Sequence, residues 1–106
     1  MGYGYVYLIK EHSESDRYKI GVTRKKNVAE RVKELQTGNS YTLSLIASYE
    51  SNKPFKLEKM LHNHYYNEHE LNEWFILDKE KVDNFLNTCD KYQKIIDCLK
   101  DNPFFY

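Results

Sequence analysis

The chain has little cysteine: Cys89 and Cys98 are the only two in 106 residues, and no C-x-x-C pair exists. With no secretory signal either, a disulfide framework is not expected, and both thiols read as reduced and half-buried. No apolar run approaches the roughly 18 residues that a bilayer-spanning helix needs, which argues against a membrane protein and for an intracellular one. Neither a G-x-x-x-x-G-K-[ST] loop nor a G-x-G-x-x-G fingerprint is present, which removes the nucleotide-cofactor enzymes. His62, His64 and His69 lie near Glu58 and Glu68 in sequence, but the four well-spaced Cys/His ligands of a structural zinc site are missing. Internal repeats, low-complexity tracts and linkers are also lacking. Net charge is the last absence, with 16 Lys/Arg against 16 Asp/Glu. A neutral chain is a poor advertisement for a nucleic-acid partner.

What is present is a soluble, single-domain composition, 41% hydrophobic and 30% charged. The neutral total hides an asymmetry. Residues 1–60 carry 11 Lys/Arg against 7 Asp/Glu, and residues 61–106 carry 5 against 9. A basic face and an acidic tail follow, a distribution compatible with polyanion binding.

Gly4–Lys10 and Tyr18–Thr23 (GYVYLIK and YKIGVT) are rich in aromatic and β-branched residues and read as two strands of an antiparallel hairpin. The polar stretch 11–17 is the turn between them. Gly21 is placed where the chain bends or another backbone comes close. Asn27 is set to cap a helix that carries Val28, Val32 and Leu35 on its apolar side and stops at Gly38. Arg31 lies beside that stripe. Thr42–Tyr49 reads as a third strand. Pro54 opens a second helix, with Leu57, Met60, Leu61 and His64 as its buried face and Glu58 and His62 sharing a neighbouring one. Asn72–Leu77 is a short extended segment, with Trp74 and Phe75 assigned to the core. Lys79 to about Cys89 and Tyr92–Leu99 are helical, with Val82, Phe85, Leu86, Cys89, Ile95, Ile96 and Leu99 as apolar points. The order β-β-α-β-α-(β)-α-α predicts an α+β fold: a small antiparallel sheet of about three strands, flanked by helices.

Tyr, Lys, Arg and Glu on this succession of elements are the parts for metal-assisted cleavage of a phosphodiester. Their order and spacing resemble the GIY-YIG endonuclease superfamily. Tyr5-Val6-Tyr7 matches its first signature element and Lys19-Ile20-Gly21 its second, with lysine where the name-giving tyrosine stands. Arg31 follows ten residues after the glycine, on the helix that carries the family arginine, and Glu58 falls at the station of the metal-binding glutamate. The compact phage- and virus-associated branch is the nearest likeness, through K-I-G, Leu35-Gln36-Thr37-Gly38, Glu58-Lys59-Met60-Leu61-His62 and Glu73-Trp74-Phe75. Asn72 is the nearest counterpart of a family asparagine. The resemblance implies a nuclease-like core over residues 3–77 and a C-terminal helical extension over 78–106 of one domain.

It further implies a divalent-metal-dependent endonuclease acting on DNA, with Glu58 holding a single Mg²⁺ or Mn²⁺ ion. Arg31 would make a forked contact with phosphate. Tyr7 is the candidate base or water-positioner, and its phenol, with a reference pKa of about 10, needs positive charge nearby. Lys19 is the candidate source of that charge, or a phosphate contact. His62 has three open roles: orienting Glu58, touching nucleic acid, or acting as base. Arg24, Lys25 and Lys26 form a basic loop suited to backbone phosphates. Recognition by so small a scaffold is expected to be weak or shape-based unless a protein partner supplies specificity, with the chain itself a monomer or weak dimer. The Lys, Asn, Tyr and Ile richness fits an AT-rich viral or bacterial genome. Two other readings stay open: a catalytically inactive nucleic-acid-binding module of the same fold, and a protein-interaction domain using the tail Pro103-Phe104-Phe105-Tyr106.

Overall fold

The structure, a computed structural model, describes residues 3–99, so the aromatic tail lies outside the described residues. Strand β1 (Gly4–His12) alternates Tyr5, Tyr7 and Ile9 with Val6 and Leu8, so both its faces are apolar and both need cover. The chain meets that need by making β1 an inner strand. It pairs antiparallel with β2 (Asp16–Thr23) on one side and β3 (Leu43–Ser51) on the other. The hairpin is tighter than its polar sequence suggests, because both strands run into it and only residues 13–15 are left to turn.

The sheet has five antiparallel strands in the order β3-β1-β2-β5-β4, where the sequence pattern predicts about three. The two additional strands are β4 (His69–Leu71) and β5 (Trp74–Ile76). All of β4 is exposed and carries no apolar alternation; backbone pairing, the Glu70–Arg17 ion pair and the His69 ring against Phe75 hold it. Asn72, at φ 54°, closes the hairpin, a left-handed conformation that asparagine tolerates better than most residues.

Helix α1 (Val28–Thr37) begins as expected, with the Asn27 side chain accepting the Ala29 N–H at 3.0 Å. Helix α2 (Pro54–His64) starts on its proline. Ahead of it, buried Ser51 accepts the Lys53 N–H at 3.0 Å and donates to Gln93 at 2.6 Å. Two short elements follow β5: α3 (Lys79–Asp83), capped by Asp78, and the longer α4 (Phe85–Leu99). The break between them falls at Asn84, not near residue 90. Phe85, Cys89, Tyr92 and Ile96 form one unbroken i, i+4, i+7, i+11 stripe, which holds α4 together through the predicted gap.

The two faces of the sheet carry separate cores. Val6, Leu8, Tyr18, Ile20 and Phe75 are buried against Leu57 and Leu61 of α2 and Phe85, Cys89 and Ile96 of α4. On the other face, Tyr7, Ile9, Val28 and Leu43 are covered by α1, with Val32 and Leu35 half-buried beside them. Several expected core residues lie elsewhere. His64 is exposed and bonded to the Tyr92 hydroxyl at 2.8 Å, while Tyr65 next to it fills the interior at 2% exposure. Leu86, Ile95 and Leu99 face outward because α4 packs along one stripe only. Phe75 is core, but Trp74, on the opposite face of the same strand, is half-buried beneath two cations.

Gly21 has no positive φ, and the close approach it permits is to a side chain rather than a backbone. Tyr7 pairs with Gly21 across the β1–β2 ladder, and the tyrosine ring lies flat over the missing side chain. A Cβ at position 21 would stand 2.6 Å from Tyr7 Cζ and 2.8 Å from Cε1. Gly21→Ala therefore has to displace a fully buried ring, at an expected cost of about 1–3 kcal/mol. Urea denaturation should show this loss. A double-mutant cycle should show most of it vanishing in a Tyr7→Val background.

Candidate active site

Tyr7 is 1% exposed, yet its hydroxyl is positioned by charge. The Arg31 guanidinium, reaching down from α1, donates to the phenol oxygen. Arg31 also bonds Glu34 one turn along at 3.3 Å, so it is held from two sides. Burial pushes the Tyr7 phenol above its ordinary pKa, and Arg31 pulls it back through its hydrogen bond and charge, while Glu73 and Glu58 push it further up. The positive charge beside Tyr7 is thus Arg31, not Lys19.

Strand geometry explains how a second helix reaches this place. Tyr7, Lys19 and Gly21 share the sheet face covered by α1, because cross-strand partners project to the same side. Helix α2 covers the opposite face. The short β5 pairs only with Arg17, Tyr18 and Lys19, so beyond one bond from Ile20 N–H to the Glu73 carbonyl, β2 has no neighbouring strand on that side. Glu58 stands at this open edge, within electrostatic reach of both Lys19 and Tyr7. His62, one turn further along α2, donates its Nε2–H to the Ile20 carbonyl at 2.9 Å and sits 4.0 Å from Glu58 Oε2. It ties α2 to β2 and sets the height of Glu58 against the sheet edge.

Glu58 is the anomalous group. Its Oε2 is buried and, among the described residues, is the one buried side-chain polar atom with no hydrogen-bond partner. Burial first, and then the nearby Glu73 carboxylate, raise its pKa to about 7, against a smaller opposing pull from Lys19. Natural proteins rarely leave a buried oxygen unsatisfied, and a hard carboxylate oxygen in that condition suits a hard divalent cation. Among the described residues no three His, Cys, Asp or Glu side chains gather into a cation cluster, so Glu58 would be the single protein ligand.

Lys19 pairs with Glu73 at 3.3 Å and lies 5.7 Å from the centre of the Trp74 ring, which also carries Arg17 at 4.7 Å. Glu73 and Trp74 therefore belong to the site, although sequence reasoning assigned Trp74 to the core and gave Glu73 no role. Their place in the E-W-F run just past the second helix was the available signal. Asn72 sits in the β4–β5 turn, where its carbonyl accepts from His69. The basic loop is only partly turned toward the site. Lys25 pairs with Glu34 at 3.0 Å, which links the loop to Arg31, and Lys26 is exposed. Arg24 stacks over Phe55 at 5.0 Å. Tyr7, Lys19, Arg31, Glu58 and His62 thus converge at one edge, with Lys25 linked to it through Glu34, Arg24 over Phe55 of α2, and Lys26 exposed on the same loop.

The raised Glu58 pKa makes a testable demand on stability. The folded protein keeps the proton up to about pH 7, whereas the unfolded chain releases it near the reference value of 4.5. The native state is therefore favoured below pH 4.5, and that contribution is lost as pH rises to 7. In EDTA, Glu58→Gln should match wild type below pH 4.5 and become more stable above it, by up to about 3 kcal/mol at pH 8. Thermal unfolding across pH reads the difference. Adding Mg²⁺ should raise the Tm of wild type and leave that of Glu58→Gln unmoved.

Among the described residues no helix is long and apolar enough to cross a membrane. No curated protein and no solved structure matches the chain. The family model of the T5orf172 domain does, over residues 4–90, which spans every strand, α1 and α2, and all the residues of the edge site. The chain belongs to the T5orf172 domain family, a phage-associated family related to nuclease-like folds.

Proposed function

We propose that the protein is a divalent-metal-dependent endonuclease of the GIY-YIG type that hydrolyses DNA phosphodiester bonds. The observation that carries this reading is the unsatisfied Glu58 Oε2, set at an open sheet edge beside the Tyr7–Arg31 pair and Lys19. A carboxylate oxygen left without a donor, near Lys19 and the phenol that Arg31 holds, is a receptor for a metal ion and a phosphate together.

Each side chain has a task in that reaction. Arg31 has five N–H donors and uses some of them on Tyr7 and Glu34, leaving others for the non-bridging oxygens of the scissile phosphate. Lys19 adds a second positive charge to the same phosphate, with Glu73 as its resting partner. Tyr7 accepts from Arg31 and keeps its own proton at neutral pH, because burial raises its pKa. Its hydroxyl therefore orients the attacking water, and taking the water's proton requires more positive charge than Arg31 alone supplies. His62 acts through Glu58 by fixing α2 against the Ile20 carbonyl. Mg²⁺ or Mn²⁺ bound at Glu58 would polarise the phosphate and stabilise the leaving oxygen.

A second reading is favoured by Lys19, which stands where the GIY-YIG superfamily has its name-giving tyrosine: a module that binds DNA and does not turn it over. Plasmid nicking in Mg²⁺ separates the two. Wild type should nick, and Glu58→Ala and Arg31→Ala should each lower the rate by roughly 10² or more. Because metal binding needs the carboxylate, activity at subsaturating Mg²⁺ should fall about tenfold per pH unit below pH 7. A wild-type protein that never nicks but binds DNA with a steep salt dependence establishes the binding module instead.

A further inference from the structure

A cleft of about 790 Å³ opens at the start of α2, between Tyr3 and Phe55. These two rings are 66% and 53% exposed, far more than an aromatic side chain with a structural task requires. Arg24, Lys53 and Lys56 also line the cleft. Arg24 lies over the Phe55 ring, 5.0 Å from its centre, which holds the cation and the ring together. Phe55 precedes Glu58 by three residues on the same helix, an axial rise of about 4.5 Å, so both project from adjoining positions of one helical face. Arg24 follows directly on the end of β2, three residues after Gly21. The cleft thus lies about one helical turn from Glu58, toward the start of α2.

We infer that this cleft binds an unpaired nucleotide of the substrate next to the scissile phosphate, its base stacked on Tyr3 and Phe55 and its phosphates on Arg24, Lys53 and Lys56. The inference rests on the nuclease reading and narrows its substrate class to nucleic acid with a single-stranded or extrahelical base. Exposed rings beside cations match what single-strand binding uses: π-faces for bases and positive charge for the backbone. Duplex DNA has its bases stacked away and would leave both rings idle. An acidic peptide would engage the cations but leave the two aromatic surfaces unused.

Fluorescence anisotropy in EDTA tests this without any catalysis. Labelled oligothymidylate should bind roughly 5- to 100-fold more tightly than an abasic strand of equal length, the range expected for one or two stacked bases. Phe55→Ala should erase that preference, and Phe55→Tyr should restore it. Circular dichroism confirms that the variants fold. Equal affinity for the abasic strand, no effect of Phe55→Ala, or displacement by polyglutamate as effective as by oligothymidylate overturns the inference. Mg²⁺-dependent nicking by the same preparation reports the nuclease reading separately: a protein that nicks plasmid but ignores the base sinks the cleft alone.

Discussion

The structure depends on a side chain that is absent. Tyr7 can lie flat inside the sheet only because Gly21, its partner across the ladder, has no Cβ. That one vacancy lets a bulky phenol be buried with its hydroxyl against the edge of β2 instead of pointing into solvent above α1. Arg31 then has a fixed acceptor to reach for, and α1 gains a polar anchor in addition to Val28, Val32 and Leu35. The hairpin, the helix above it and the charge beside the phenol all follow from the same steric permission.

The second constraint is the shortness of β5. Had it extended along the whole of β2, backbone pairing would have closed the edge beside Gly21, and Glu58 would have been confined to the α2 face. Instead the ladder stops at Lys19, and the carboxylate meets the residues of the other face at the gap. The arrangement is costly: an oxygen without a donor, next to a second carboxylate, held near neutrality by burial. Such local conflict in an otherwise well-satisfied fold is the mark of a site shaped for something other than stability. Trp74 and Glu73 complete it by holding Lys19 close to the edge without neutralising its approach to a ligand.

Much of the local structure could be read from residue patterns. The hairpin, the Asn27 cap, the proline that opens α2 and the alternating faces of β1 are all local or periodic signals, and they appear where expected. The misreadings share a cause. β4 is an edge strand with no buried side chain, so nothing in His69-Glu70-Leu71 announced it. The break at Asn84, rather than near residue 90, follows from which face of α4 met the core. Tyr65 took the buried place expected of His64 because the last turn of α2 is oriented by Tyr65 packing near Phe85 and Phe75. Trp74 is only half-buried, against the core under α1, because the alternation of β5 puts Phe75 into the larger core on the opposite face.

By itself the sequence determined which residues carry reactive groups and, through the resemblance of their order to the GIY-YIG superfamily, that Tyr7, Lys19, Arg31, Glu58 and His62 were the ones to watch. It also determined the secondary elements that carry them, since propensity, capping and periodicity act over a few residues. Only the tertiary structure decided that Arg31 rather than Lys19 charges the phenol, that Glu58 is left without a partner, and that Trp74 and Glu73 join the site. Those outcomes depend on where a short strand ends and how a helix sits against a sheet edge, distances set by contacts between segments far apart in the chain. Local patterning has no access to them, because burial and electrostatic coupling exist only once the elements are packed.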